Sequence, residues 1–196
     1  MNIKIIAGST REGRFSNKAA GWISEEVKKQ EGTEVEVLDL QDYVMPFFDQ
    51  AVSPSFKTEP YQNEAVARFT QKVGEADAFI IVTPEYNHGT SAVLKNALDW
   101  VSPEWNNKPV SFVSYGSVGG ARAVQQLRLN AIELQMAPIR EAVHINGEKY
   151  FPVIMGGGDA DVLLASYADK AQLMITQLLW WTKALKSERL AAKDSL

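Results

Sequence analysis

Five consecutive apolar residues, Ala78, Phe79, Ile80, Ile81 and Val82, constrain the fold of this chain more than any other feature. Side chains alternate between the two faces of a strand, so an unbroken apolar run requires cover on both faces. Parallel sheets flanked by helices on either side provide that cover. Other short runs make a similar demand: Ile3 to Ala7, closed by Gly8; Val35, Val37 and Leu38; Pro109 to Tyr115; and Ala142 to Ile145. Between them, apolar residues recur at helical spacing. The sets are Ala19, Ala20, Ile23 and Val27; Val66, Phe69, Val73 and Ala76; Val93, Leu94, Ala97, Leu98 and Val101; and Val124, Leu127, Ala131 and Leu134. A single long helix is predicted over residues 161 to about 186.

Five strands alternating with five helices predict a doubly wound α/β fold, with a five-stranded parallel sheet and helices on both faces. Residues 1–196 read as one domain around one core. Ser16 or Asn17 is the expected N-cap of the first helix and Gly32 its C′ residue. The second helix is expected from Tyr61, and Gly156, Gly157 and Gly158 are expected to form a flexible connection. The irregular segment from 46 to about 59 carries Pro46, Phe47, Phe48 and Pro54, which is apolar for a loop.

Charge and composition narrow the function. A formal charge of −4 offers no basic field for nucleic acid or anionic membranes, so a small ligand is favoured. The absence of cysteine excludes disulfides, thiolate catalysis and iron–sulfur ligation, and two histidines weigh against a zinc site. Redox chemistry would need a borrowed cofactor. The N-terminal apolar run is too short for a signal peptide and no segment reaches the ~20 apolar residues of a membrane span, so a cytoplasmic location is expected.

In doubly wound sheets, ligands bind beyond the carboxyl ends of the strands. The loop after the first strand, residues 8–17, supplies Ser9, Thr10, Arg11, Arg14, Ser16 and Asn17 at a helix N-terminus, an arrangement suited to an anion. Arg14 and Phe15 stand where a Walker loop needs Lys and Ser or Thr, and Thr10 stands where a dinucleotide fingerprint needs Gly. A terminal phosphate monoester held without metal remains. Pro84, Glu85, Tyr86 and Asn87 follow the most apolar strand and offer a flat ring and polar groups to a planar ligand. Gly116, Ser117, Gly119 and Gly120 have little bulk, so their backbone can approach a ring edge closely.

Read in order, Gly8-Ser-Thr-Arg11 with Ser16-Asn17, then Pro84-Glu-Tyr-Asn-His-Gly89 leading into Leu94-Lys-Asn-Ala-Leu-Asp-Trp100, then Gly116-Ser-Val-Gly-Gly120, the chain resembles the NADPH-dependent FMN reductase family. The resemblance implies a flavodoxin-like sheet of order 2-1-3-4-5. It implies an FMN whose phosphate sits among Ser9, Arg11, Ser16 and Asn17. The flavin ring would lie against Pro84, Glu85, Tyr86 and Asn87, with its pyrimidine edge at Gly116, Ser117, Gly119 and Gly120. A homodimer or homotetramer is also implied, with residues 44–56 and the helix after His88 contributing.

The expected reaction is hydride transfer from NADPH, or NADH, to FMN and on to a small acceptor: a flavin, quinone, azo compound or metal ion. The flavin carries the chemistry, so no catalytic side chain and no metal are assigned. The alternatives are a flavodoxin-type FMN electron carrier with protein partners and a flavin-free regulatory domain on the same fold. His88 reads as a turn residue rather than an acid, and Lys95 as support for the site loop or a dimer contact. Arg14 is a candidate for the NADPH 2′-phosphate or a surface charge, and Trp100, Trp180 and Trp181 are read as packing residues.

Overall fold

A computed structural model describes residues 1–194 of the chain. Strands β1 (Asn2–Ala7), β2 (Glu34–Asp39), β3 (Ala78–Pro84) and β4 (Pro109–Gly116) are joined by helices α1 (Ser16–Lys28), α2 (Glu64–Glu75) and α3 (Ala92–Trp100). Helix α4 (Ala121–Glu133) then leads to β5 (Ala137–Pro138), β6 (Val143–Asn146), α5 (Gly147–Ile154), α6 (Ala160–Ala165) and α7 (Ala168–Asp194). All strand pairs are parallel and the order is β2-β1-β3-β4-β5, with β6 also on β4. The expected 2-1-3-4-5 sheet is therefore present, and the flavodoxin-like architecture with it.

The apolar runs are explained by their two destinations. Ile3, Ile5, Ala78, Ile80 and Val82 pack with α1 and α7, while Ile6, Phe79, Ile81 and Phe112 pack with α2, α3 and α4. The connection after β1 therefore leaves toward one face and those after β3 and β4 toward the other. That divergence opens a crevice between the ends of β1 and β3, where such sheets bind ligands.

Several boundaries differ from expectation, each for a local reason. The fifth lane of the sheet is split into β5 and β6, giving six strands instead of five. Between the two pieces, Arg128 donates to the Ile139 and Arg140 carbonyls, and Ser111 Oγ donates to the Glu141 carbonyl at 2.7 Å, so side chains replace the ladder there. The long final helix is broken: Ser166 Oγ donates to the Leu163 carbonyl at 2.7 Å and Tyr167 Oη accepts from the Asn146 amide at 3.2 Å. Beyond residue 186 helix α7 continues on charged residues, with Lys186 and Arg189 both paired to Asp77.

Helix α5 has no counterpart in the sequence reading, because Pro152 stands within it. Its end explains the glycines: Gly156 takes φ 83° and the Gly157 amide donates to the Pro152 carbonyl at 2.9 Å, a hydrogen-bonded helix stop in place of the expected flexible connection. Helix α2 starts at Glu64, after Asn63, whose Oδ1 accepts from the Val66 amide. Helix α1 ends at Lys28, so Gly32 is not its C′ residue but part of the turn into β2, at φ 72°. Its N-cap is Phe15, not Ser16 or Asn17.

Trp100 is core, whereas Trp180 is 66% exposed. Among the described residues no helix is long and apolar enough to cross a membrane.

Candidate active site

The start of α1 is unusual in a way that bears on ligand binding. Phe15 is buried edge-on against Tyr115 and Tyr150, with ring centroids 5.2 and 5.3 Å away, and provides no side-chain cap. Ser16 is fully buried, its Oγ 3.5 Å from the Ser9 carbonyl oxygen, and it also faces the Tyr115 phenol. Burial pushes that phenol up, so it stays neutral, and its hydroxyl has no hydrogen-bond partner among the described residues. No acidic residue lies in the first turn. A helix start with neither a side-chain cap nor an acidic residue carries partial positive charge that an anion can neutralise.

Three side chains tie the loops after β1 and β3 together. Ser9, 1% exposed, shares a hydrogen bond of 2.9 Å with Tyr86 Oη. Ser91 caps α3 by accepting from the Leu94 amide at 3.2 Å and donates its own proton to the Gly8 carbonyl. Gly8 itself sits so close to β3 and α3 that a Cβ would lie 2.8 Å from the Val82 carbonyl oxygen. Arg11 and Thr10 remain exposed at the lip.

The loop after β3 is a tight hairpin turn. Tyr86 and Gly89 exchange backbone hydrogen bonds of 2.9 and 3.0 Å, and Asn87 and His88 between them have φ 49° and 73°. Two successive positive φ values match the twist of a two-residue hairpin. His88 is thus a turn residue, its carbonyl held by Gln126 Nε2 at 3.0 Å. Lys95 pairs at 2.7 Å with Asp99 on its own helix.

The Glu85 carboxylate, 3% exposed, is turned to α4, where Arg122 grips it through its amide at 3.0 Å and Nε at 2.6 Å. Burial alone would raise this carboxyl, but the hydrogen bonds and charge of Arg122 outweigh it and hold it below the usual carboxylate value.

In the loop after β4, Gly119 and Gly120 have φ 71° and 73°. A Cβ on Gly120 would stand 2.7 Å from Ser114 Cβ and 2.8 Å from the Tyr115 amide nitrogen. Ser114 Oγ donates to the Gly119 carbonyl at 2.6 Å and lies 2.8 Å from His144 Nδ1. Ser117 is exposed beside these glycines.

A cavity of about 480 Å³ opens where the first two loops meet. It is lined by Ser9, Thr10, Arg11 and Tyr86, by Ser91, Ala92, Val93 and Asn96 of α3, and by Met45 and Phe47. Loops one and two are therefore brought together as expected, and the glycine loop adjoins them through Glu85 rather than lining this cavity. Asn17 is exposed, its Oδ1 accepting from the Lys18 amide at 2.9 Å. Arg14 is held by Asp39 and Gln41, so it is neither a free surface charge nor presented to a 2′-phosphate.

The sequence reading missed Met45, Phe47 and Asn96 as cavity residues. The signal was present in the apolar irregular segment. Asn96 accepts from the Phe48 amide at 2.9 Å and donates to the Pro46 carbonyl at 2.8 Å, and Trp100 Nε1 donates to the same carbonyl at 2.7 Å.

Comparison with known proteins agrees with this geometry. Residues 1–149 match the profile of the family described as NADPH-dependent FMN reductase. An NAD(P)H-dependent FMN reductase of Schizosaccharomyces pombe is 36% identical over 149 residues, 75% of this chain and 74% of the relative. An NAD(P)H:quinone oxidoreductase of Solanum tuberosum is 29% identical over 187 residues, 92% of this chain and 91% of the relative. The solved structure of FerB, a flavoenzyme NAD(P)H:(acceptor) oxidoreductase from Paracoccus denitrificans, has the same fold, with a TM-score of 0.67 at 21% identity over 93% of this chain and 97% of that one. The chain belongs to the NADPH-dependent FMN reductase family.

Proposed function

We propose that this chain is an FMN-dependent oxidoreductase that takes a hydride from a reduced nicotinamide and delivers it to a small planar or redox-active acceptor such as a quinone, a flavin, an azo compound or a metal ion. The observation that carries the reading is the uncapped, acid-free start of α1 at the end of the same loop whose Ser9, Thr10 and Arg11 line the apolar cavity with Tyr86. FMN, when bound, supplies the site that accepts and donates the hydride. The residues present suit it. Ser9, Arg11, Ser16, Asn17 and the first amides of α1 would take the phosphate, and Pro84, Tyr86 and Asn87 would support the ring. The backbone of Glu85, Gly116, Ser117, Gly119 and Gly120 would face its polar edge, in a loop packed so closely on β4 that a Cβ at Gly120 would collide with Ser114 and Tyr115.

Met45, Phe47 and Val93 give the cavity an apolar wall, which favours flat, weakly polar acceptors, while Arg11 at the lip adds a positive charge for anionic groups. The chain works as one domain in the cytoplasm on this reading, as a homodimer or homotetramer. The exposed Val44, Phe47 and Phe56 would contribute to the subunit contact.

Anaerobic mixing of the flavin-loaded protein with NADPH and NADH, followed by addition of a quinone, tests the proposal. Bleaching of the flavin absorbance and its return on adding quinone are expected. A protein that stays oxidised with both nicotinamides would instead be an electron carrier.

A further inference from the structure

Helix α4 begins without the means to cap itself. Its N-cap position is Gly120, which has no side chain, and none could be introduced, because a Cβ there would collide with β4. Helix N-termini leave amides that need an acceptor, which is ordinarily a side chain at the N-cap. Here the acceptor comes from a different loop. The Glu85 carboxylate, carried on the turn after β3, accepts from the Arg122 amide at 3.0 Å and from Arg122 Nε at 2.6 Å.

The same residue is fixed at its backbone. The Glu85 amide donates to the Tyr115 carbonyl at 3.1 Å, continuing the β3–β4 ladder by one step. Gly116 approaches so closely that its missing Cβ would be 3.2 Å from Glu85 Cβ. One turn further along α4, Gln126 holds the far end of the hairpin through the His88 carbonyl.

We propose that Glu85 is a positioning residue: its carboxylate caps α4 from the neighbouring loop and thereby fixes the spacing between the Tyr86 turn and the glycine loop. This rests on the flavin reading, because those are the two segments between which the ring would be held. Glu85 would not touch the ligand with its side chain. It would act through Arg122 and the glycine backbone, in contrast to Arg11, which faces the cavity itself.

The test uses the full chain freed of bound flavin, with the variants Glu85→Gln and Arg11→Ala. Each is titrated with FMN and with riboflavin, which lacks the phosphate, and backbone amide exchange is followed in the flavin-free protein. Glutamine can accept one of the two Arg122 hydrogen bonds but presents a donor to the other. For Glu85→Gln, FMN and riboflavin should weaken by the same factor, roughly tenfold, the scale of one lost charge-assisted hydrogen bond. Exchange over residues 119–123 should quicken by a similar factor. Arg11→Ala should weaken FMN alone.

A purely structural role would quicken exchange or lower the urea midpoint while leaving both flavin affinities within about twofold, and that result would overturn the proposal. Should Glu85→Gln fail to fold, Arg122→Gln decides, since it keeps the carboxylate and the amide cap. It should weaken both flavins by roughly threefold, and no effect on either rejects the role. A wild-type chain that binds neither flavin would bring down the flavin reading and the proposal together, whereas normal wild-type binding with an unchanged Glu85→Gln brings down the proposal alone.

Discussion

Gly120→Ala isolates how tightly the glycine loop is packed on the sheet, because the fold contains a control. Gly32 has φ 72° and Gly120 φ 73°, yet a Cβ at Gly32 meets nothing within 4 Å, whereas at Gly120 it would be 2.7 Å from Ser114 Cβ and 2.8 Å from the Tyr115 amide nitrogen. The left-handed conformation costs an alanine ~1–2 kcal/mol at either site. The less flexible unfolded chain returns ~0.4–1 kcal/mol, so Gly32→Ala should destabilise by roughly 1 kcal/mol.

At Gly120 the obstacle is a fully buried strand that cannot step aside, and overpacking of that kind adds ~1–3 kcal/mol. The expected loss is therefore about 2–4 kcal/mol, worth roughly 4–16 °C in melting temperature against roughly 2–4 °C for the control. Urea unfolding of the flavin-free proteins measures both, provided the dependence on denaturant is unchanged. If the two variants lie within about 0.5 kcal/mol of each other, the close approach of this loop to β4 is wrong.

Three further outcomes follow from contacts in and around the cavity. Tyr86→Phe removes the 2.9 Å bond to Ser9 Oγ, so FMN affinity should fall roughly two- to tenfold while riboflavin is unaffected, read by flavin fluorescence. Asn96→Ala releases the Phe48 amide and one of the two donors on the Pro46 carbonyl; it should raise the apparent KM for a quinone roughly tenfold with FMN affinity nearly unchanged, and an unaltered KM would show that Met45 and Phe47 do not meet the acceptor. His144 titrates below its ordinary 6.5, first through desolvation and then through the charge of Arg128. The unfolded chain therefore takes up this proton first as pH falls. The stability contribution is full above about 6.5 and is lost as pH drops through the folded pKa. Because His144 is exposed on β6, the effect is small: His144→Gln should flatten the urea stability profile slightly between about pH 7.5 and 5.5, and an unchanged slope would exclude His144 as its source.

The sheet was legible because its strands are covered on both faces. Ala78, Ile80 and Val82 go to one layer and Phe79 and Ile81 to the other, so the demand for burial is written in consecutive letters. Where side-chain hydrogen bonds replace regular backbone pairing, that signal is lost. Arg128 and Ser111 support the gap between β5 and β6, and nothing in the spacing of either residue announces it. The break between α6 and α7 is hidden for a related reason: Leu164, Ala171, Met174 and Leu178 keep helical spacing across it, while a serine hydroxyl and a tyrosine anchor turn the chain.

The same distinction runs through the candidate site. Residue types that present a chemistry directly, the hydroxyls and arginine after β1 and the glycines after β4, could be read as an anion turn and a bare backbone cradle. Residues that act by holding another segment could not, because a carboxylate in a loop looks alike whether it meets a ligand or a helix end. Glu85 and Arg14 both belong to this second kind, bound to Arg122 and Asp39. So does the block around Asn96: four residues apart on α3, Asn96 and Trp100 both donate to the Pro46 carbonyl, which fixes Met45 and Phe47 at the cavity. An i, i+4 pair of donors on one helix face can grip a single carbonyl from a distant segment only if that segment has already been brought alongside. The pattern therefore becomes interpretable only after the fold is known, and a short run such as residues 94–100 can identify a family while its physical task stays unread.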